Sequence, residues 1–420
     1  MVVARLALLA SFVLLVGACD RIASFVAGDP VDGLIAVRDA TIDGTPPTTT
    51  REAGSVEAGV AVSDMQAPAN CATDEARRDL TGYALGGIAV DPDTAYAYVA
   101  GQSVAGELFI YAIDGCSQDL LVIDKAPFKP QGLLPNGYGR RNDVAVTGGP
   151  GARRLCIAGG ARDDQSKQVL YTMCLPIRVG GGVGDVGSRT PRKYASPVER
   201  IDMQASGGQL ALLAQGAPAT PLVVGFEQPP SFDPGSGYRF AGLAARGGDM
   251  LVGYAKGSGA TLGHATFAGG CVTFSCAMPK EYPANPALDV GALALTSSHS
   301  VWIGSESATG RITAYYGGAS GGLSHEPFKV NGEIYAAHAV NDVVHAVGTT
   351  DAGSFVVVRF DTQDPANVED DDWDGTGETG ELVGITDLYR QQLLYSGTFD
   401  SSTTGVVYRC PLGGCQTFPK

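Results

Sequence analysis

Tryptophan is nearly absent from this chain of 420 residues; Trp302 and Trp373 are the only two, so no repeat built on a recurring Trp-Asp pair is present. Histidine is scarce, five in all, and no HExxH occurs, which removes that zinc-hydrolase signature. No CxxC occurs, which argues against a thioredoxin-like redox site or a zinc ribbon. A P-loop and a dinucleotide fingerprint are also missing. Basic residues are in deficit: 29 Lys+Arg stand against 44 Asp+Glu, a formal charge of -15. Such a chain repels phosphate backbones and anionic lipid, so nucleic acid and electrostatic membrane docking are not expected. Beyond the N-terminus no apolar pattern of helical period lasts three turns, so long helices are not expected either.

Glycine and proline are abundant, 58 and 24 residues, and 44% of the chain is hydrophobic. Short strands joined by tight turns account for both. The stretch from Gly87 to Gly115 sets the pattern. Ile88 to Val90 is an apolar run, Asp91-Pro92-Asp93 is a turn, Ala95 to Ala100 is a second run, and Leu108 to Ile113 is a third. The same unit recurs, with middle strands at Leu155–Gly159, Leu210–Ala214, Met250–Tyr254, Val301–Gly304, Val343–Gly348 and Leu393–Gly397. From Gly101 to Gly397 is 296 residues in six steps, a mean near 49. A period of about 40 to 50 with several short strands per unit is the mark of a propeller array. Residues 70–420 therefore resemble the β-propeller superfamily, without a named subfamily, and the expected fold is all-β with seven blades. A pair of β-sandwiches shares the composition but not the regular spacing. The ring needs closing, and the segment around Asp74 to Leu85 is placed to add the outer strand of the last blade.

The first 18 residues have the form of a signal sequence. Arg5 is followed by an apolar run, Leu6 to Val16, too short for a stable bilayer span. Val16-Gly17-Ala18-Cys19 resembles the bacterial lipobox. The resemblance implies cleavage before Cys19 and lipidation of its thiol, and acyl chains of that kind anchor a protein stably. Residues 19–69 read as a flexible tether, with Thr45-Pro46-Pro47-Thr48-Thr49-Thr50 favouring extended backbone. The expected location is the bacterial cell envelope, facing the periplasm or the cell surface, with the membrane contacted through the lipid alone.

Without Cys19, eight cysteines remain, an even number as disulfides require in an exported chain. Cys156 and Cys174 fall nearly opposite on the arms of one hairpin. Cys271 with Cys276, and Cys410 with Cys415, each close a small loop. Cys71 and Cys116 remain, and bridging them would staple the N-terminal segment to the first blade. This is one of many possible pairings.

Residues 370 to 381, DDDWDGTGETGE, fit D-x-[DN]-x-[DN]-G-x5-E at every specified position. Alternate carboxylates around a glycine turn supply the hard oxygens calcium needs. Asp370, Asp372, Asp374, Glu378 and Glu381 would ligate through carboxylates and Thr376 through its carbonyl. The run resembles EF-hand loops and the loops of integrin-type propellers, and implies one structural Ca2+; a solvated acidic linker is the plain alternative.

Gly318-Ala319-Ser320-Gly321-Gly322 fits G-x-S-x-G but lies in a glycine-rich turn, not at a strand-to-helix elbow. Tyr138-Gly139-Arg140-Arg141 is a short basic loop. His338, Asp143 and Asp202 are the residues that would make a channel site if separate blades brought them together. With no evident catalytic constellation, the expected function is a monomeric binding or scaffold module for a protein or glycan of the envelope. The alternative is an envelope enzyme of hydrolase, lactonase or lyase type.

Overall fold

The computed structural model describes residues 68–134, 142–184, 191–194, 200–206, 209–216, 220–225, 237–246, 249–267, 278–317, 322–365, 368–372, 379–389, 391–399, 404–413 and 415. Cys19, residues 19–67 of the expected tether, Tyr138–Arg141, Ser320, Cys271 and Cys276 lie outside them. All the described residues belong to one compact unit, Glu57–Lys420. Every regular element among them is a strand.

The chain enters through β1 (Ala76–Thr81) and then makes a series of antiparallel meanders. The first is β2 (Tyr83–Val90), β3 (Tyr96–Ser103), β4 (Leu108–Asp114) and β5 (Val122–Phe128). The second is β6 (Asn142–Thr147), β7 (Arg154–Arg162), β8 (Gln168–Pro176) and β9 (Arg192–Tyr194). The third has three described strands, β10 (Arg200–Ser206), β11 (Gln209–Gly216) and β12 (Thr220–Gly225). The fourth is β13 (Tyr238–Arg246), β14 (Asp249–Lys256), β15 (Thr261–Phe267) and β16 (Met278–Pro283). Then come β17 (Leu288–Leu295), β18 (Ser300–Glu306), β19 (Arg311–Gly317), the long β20 (Ser324–Val340), β21 (Val343–Thr350), β22 (Phe355–Asp361) and β23 (Val368–Asp372). The chain closes with β24 (Gly380–Leu388), β25 (Gln392–Phe399) and β26 (Thr404–Pro411).

The arrangement is a β-propeller, but its blades are not seven separate sheets. The described residues form six hydrogen-bonded sheets, five of them with four strands or more. The seven-stranded sheet arises because β20 runs on for 17 residues, pairing with β19 from Ser324 to Asn331 and with β21 from Gly332 to Val340. The fifth and sixth expected units are thereby one sheet.

Seven apolar clusters hold the units together, one at each seam. Tyr98, Ile110, Ile157 and Tyr171 lie between the first and second units. Cys156, Leu170, Met203 and Leu212 join the second to the third, and Leu213, Phe240 and Val252 the third to the fourth. Leu251, Leu262, Leu293 and Trp302 follow, then Ile303, Phe328, Val344 and Val358. Val347, Phe355, Leu393 and Tyr408 make the next seam. Leu85, Val99, Leu394 and Val407 bring the last unit against the first. Alternate residues of one strand serve opposite seams: Val99 faces the last unit while Tyr98 and Ala100 face the second. This is why the middle strands read as continuous apolar runs rather than alternating ones.

The outer strands were not legible in the same way. β5 (VIDKAPF), β16 (MPKEYP) and β23 (VEDDD) carry charge or proline. An outer strand has one free edge, and such residues block further pairing there. The sequence reads residues 370–372 as part of a loop; the structure puts them in β23, with Asp370 opposite Val358 and Asp372 opposite Val356.

Closure joins the two ends of the chain. β1 pairs along its whole length with β26, from Ala76 opposite Arg409 to Thr81 opposite Thr404. Just before β1, Cys71 is disulfide-bonded to Cys116, in the turn after β4, and the Ala72 N–H donates to the Cys116 carbonyl at 2.9 Å. Arg409 is fully buried. It donates to the carbonyls of Asp74 at 3.0 Å, Gly115 at 2.8 Å, Ser117 at 2.6 Å and Gln118 at 3.2 Å. Cys156–Cys174 and Cys410–Cys415 are also bonded.

Replacing Arg409 by Met keeps much of the side-chain length but strips four carbonyls of their donor, and each such orphan costs about 1–3 kcal/mol. The variant is expected to lose about 3 kcal/mol or more, measured as a fall in the denaturant midpoint. Cys71→Ser with Cys116→Ser opens a loop of 45 residues and is expected to cost up to about 4 kcal/mol by the chain-entropy relation.

Candidate functional site

The first strand of each unit forms the inner ring, where adjoining units meet. Five of these strands shift register at one step: β2 between Leu85 and Ile88, β13 between Phe240 and Gly242, β17 between Val290 and Ala292, β20 between Ile334 and Ala336, and β24 between Leu382 and Gly384. β6 and β10 keep regular register, and there an aspartate occupies the step: Asp143 before Val144, Asp202 before Met203.

Each aspartate reaches into the next unit. Asp143 Oδ2 accepts from the Met203 N–H at 2.7 Å, and its Oδ1 accepts from its neighbour Val144 N–H at 2.8 Å. Asp202 Oδ2 accepts from the Leu243 N–H at 2.6 Å, and Oδ1 from Gln204 Nε2 at 3.5 Å. Arg200 continues the chain of contacts, donating to the carbonyls of Phe240 at 3.1 Å, Ala241 at 2.8 Å and Val290 at 3.1 Å. Those carbonyls sit at the register shifts of β13 and β17. The neighbouring glycines make room: a Cβ on Gly87 would strike Asp143 Oδ1, and one on Gly242 would lie 2.7 Å from Asp202 Oδ2.

Burial raises the pKa of Asp143, and the Asp202 charge raises it further; the N–H bonds of Val144 and Met203 oppose this. Burial also raises Asp202, opposed by the Leu243 N–H and by Arg200. A charge on Asp202 therefore favours the protonated form of Asp143. All four oxygens have donors from the protein. The pair clasps strands of adjoining units.

The structure thus brings together Asp143 and Asp202 but sends His338 elsewhere. His338, on β20, meets Asp387 of β24 at 3.0 Å between Nε2 and Oδ1, with side-chain exposures of 30% and 15%. Behind it lies His345, cross-strand to His338 and buried. Burial first, then Arg359 and His338, lower its pKa to about 3, so it is neutral. His264 is likewise held neutral, its pKa lowered to about 4 chiefly by burial, with its ring stacked on Trp302. Arg200, Asp387 and Arg409 are the working groups that sequence reasoning passed over. Each sits in a short strand beside other residues of no motif, and its partners lie in other strands and turns.

Of the acidic run, Asp370 and Asp372 are placed by backbone alone, Asp374, Thr376 and Glu378 lie outside the described residues, and Glu381 is on β24 opposite Thr398. Among the described residues no three His, Cys, Asp or Glu side chains gather in a way that could hold a metal ion.

No family model matches the chain, and no curated protein matches it in sequence. Among solved structures it is similar to Chaetomium thermophilum Raptor, with a TM-score of 0.51 at 10% identity, over 83% of this chain and 30% of that one. It thus spans under a third of Raptor's length. Extracellular domains 1-2 of Drosophila Semaphorin 1a give a TM-score of 0.49 at 9% identity, over 79% of this chain and 86% of that one. The WD40 domain of SCAP from fission yeast gives 0.38 at 10% identity, over 79% and 82%. The likeness to Raptor shows the propeller fold and nothing of its activity.

The acidic pair has a pH signature. An acid whose folded-state pKa lies above its unfolded value binds more protons when folded, so stability falls as pH rises out of the ordinary carboxylate range toward the raised value. The urea midpoint of the wild type is expected to drop between about pH 5 and about pH 8. Asp143→Asn keeps an acceptor oxygen, removes the Asp143 share of the proton dependence, and should reduce that slope, leaving the part due to Asp202, while costing about 1 kcal/mol at the acid end.

Proposed function

We propose that this chain is a lipid-anchored propeller of the bacterial cell envelope that binds a protein or glycan partner through the loops of its ring. In this reading Cys19 carries the lipid, residues 19–69 are the tether, and residues 70–420 are the binding domain, monomeric and in contact with the membrane only through the anchor. In this reading the seven-stranded sheet counts as two blades sharing β20 and the ring as seven-bladed. What supports a binding role is the saturation of the inner ring: the half-buried carboxylates of Asp143 and Asp202 and the guanidinium of Arg200 are spent on neighbouring backbone. A ring whose inner polar groups hold it together leaves recognition to its faces. Propeller neighbours are commonly protein-interaction modules, which supports a protein partner in general terms.

A second reading, an envelope enzyme with a channel site, has one observation in its favour, the part-exposed His338–Asp387 pair. The two separate experimentally. Crosslinking on intact cells is expected to capture a protein or glycan with the wild type and with His338→Ala alike. Ester or lactone hydrolysis that His338→Ala abolishes, with no capture, would establish the enzyme. Anchoring is tested by palmitate labelling: Cys19→Ser should lose the label and leave the membrane fraction.

Calcium belongs to the same reading. If residues 370–381 hold it, added Ca2+ raises the thermal midpoint, and Asp372→Ala with Asp374→Ala removes that gain. An unmoved midpoint makes the run a charged edge strand and linker.

A further inference from the structure

Lys125 stands on β5 opposite Tyr111 of β4. Its Nζ lies 4.2 Å from the ring centre of Tyr83, 4.9 Å from Phe109 and 5.6 Å from Tyr111. The three rings make a box. Phe109 and Tyr111 are two apart on one strand and share a face. Tyr83, from β2, stands across them at 79° and 78°, its centre 5.1 Å and 5.3 Å from theirs. Gly101 of β3, between them in the sheet, lets the rings lie close; a Cβ there would meet Leu85 Cδ2 at 3.0 Å and the Tyr111 ring at 3.4 Å. Tyr111 is buried, Tyr83 and Phe109 are half-buried, and Lys125 is exposed.

The other cations set against rings have carboxylate partners. Arg77 faces Phe399 and Tyr408 and pairs with Asp79. Lys256 faces Tyr238 and pairs with Glu281. The ammonium of Lys125 has, among the described residues, the three rings and the Tyr83 hydroxyl and no carboxylate. In a chain with 44 acidic residues, that is a cation site made of ring faces. Ring faces suit weakly hydrated cations best, and a primary ammonium is compact and strongly hydrated. A trimethylammonium group spreads its charge over methyls that lie flat on aromatic walls. Lys125 swings into water on its own stem, with no ion pair to break.

We propose that the Tyr83–Phe109–Tyr111 box binds a trimethylammonium group, and that Lys125 is the tethered occupant it displaces. The source is a choline-type solute or a choline lipid headgroup, which offer the same chemistry.

Choline titrated into the protein, followed by saturation transfer to its methyl signal, tests this. Lys125→Ala is expected to bind choline about threefold or more tighter than wild type, because a competing cation–π contact is gone. Tyr83→Leu and Phe109→Leu, each added to Lys125→Ala, should abolish binding; thermal midpoints confirm that they fold. The neutral tert-butyl analogue of choline should bind about tenfold more weakly, since it lacks the charge the rings attract. Equal binding of the neutral analogue, or no saturable choline binding by Lys125→Ala, overturns the proposal. Sedimentation with phosphatidylcholine vesicles, reversed by free choline, assigns the headgroup as source; free binding without sedimentation assigns a solute.

Discussion

The ring stands on the seam where its ends meet. Each unit buries both faces, so no unit has a finished core until a neighbour lies on each side. The last unit obtains its fourth strand from the start of the chain, because β1 pairs with β26. Around that ladder are bonds of different chemistry. Ser396 Oγ donates to the Gly86 carbonyl at 2.6 Å, and the Leu85 N–H donates to Thr398 Oγ1 at 2.9 Å, tying the inner strands of the last and first units. Cys71–Cys116 fixes the entry of the chain to the first unit. Arg409 gathers carbonyls from both sides of the seam. Only arginine carries five donors in a planar fork, and a lysine in its place would leave part of that set unpaired.

Away from the seam, the inner ring solves one problem in two ways. The first strands converge there, and some backbone groups lose their ladder partners. In five strands the register shifts, with glycine in or beside four of the shifts, and backbone of the next unit packs close; the Gly291 Cβ position, for example, falls on Ile334. In β6 and β10 the register stays regular and a carboxylate crosses to the next N–H instead. The carboxylate solution brings a cost that the glycine solution avoids, since desolvation raises the proton affinity of both aspartates and the Asp202 charge raises that of Asp143 further. Arg200 relieves Asp202 in part. It also supplies donors to the freed carbonyls of β13 and β17, so the two solutions are stitched together at the third and fourth units.

This division explains what the sequence could and could not disclose. The middle strands were legible because burial on both faces forces runs such as AYVAG and VWIG. The Cys156–Cys174 bond was legible from hairpin parity, and their register pairing is direct. The closing segment was legible because a ring must end its edges. The outer strands were not, since an edge wants charge and proline, the same residues that mark loops. That is why Asp370–Asp372 reads as the start of a calcium loop while the structure gives those residues ladder partners in β22. The partners of Asp143 and Asp202 are main-chain N–H groups in other units, and no side-chain motif records them. The convergence of Asp143 with Asp202, and the pairing of His338 with Asp387 instead, depend on how many units lie between them.

The same logic separates holding from recognising. A polar group whose bonds end mainly on backbone is committed to the fold, and Asp143, Asp202, Arg200 and Arg409 are of that kind. Groups left with a part-exposed face and few internal partners are available to other molecules. Tyr83 and Lys125 belong to the second class. Tyr83 begins β2, just after Gly82 at φ 88° turns the chain from the closing strand into the first unit. The box is therefore set beside the most heavily fastened part of the ring. Its rings pack against the core of the closing seam, and Lys125 is its exposed member. A packed aromatic wall with one exposed cation needs no rearrangement of its own to exchange that cation for another.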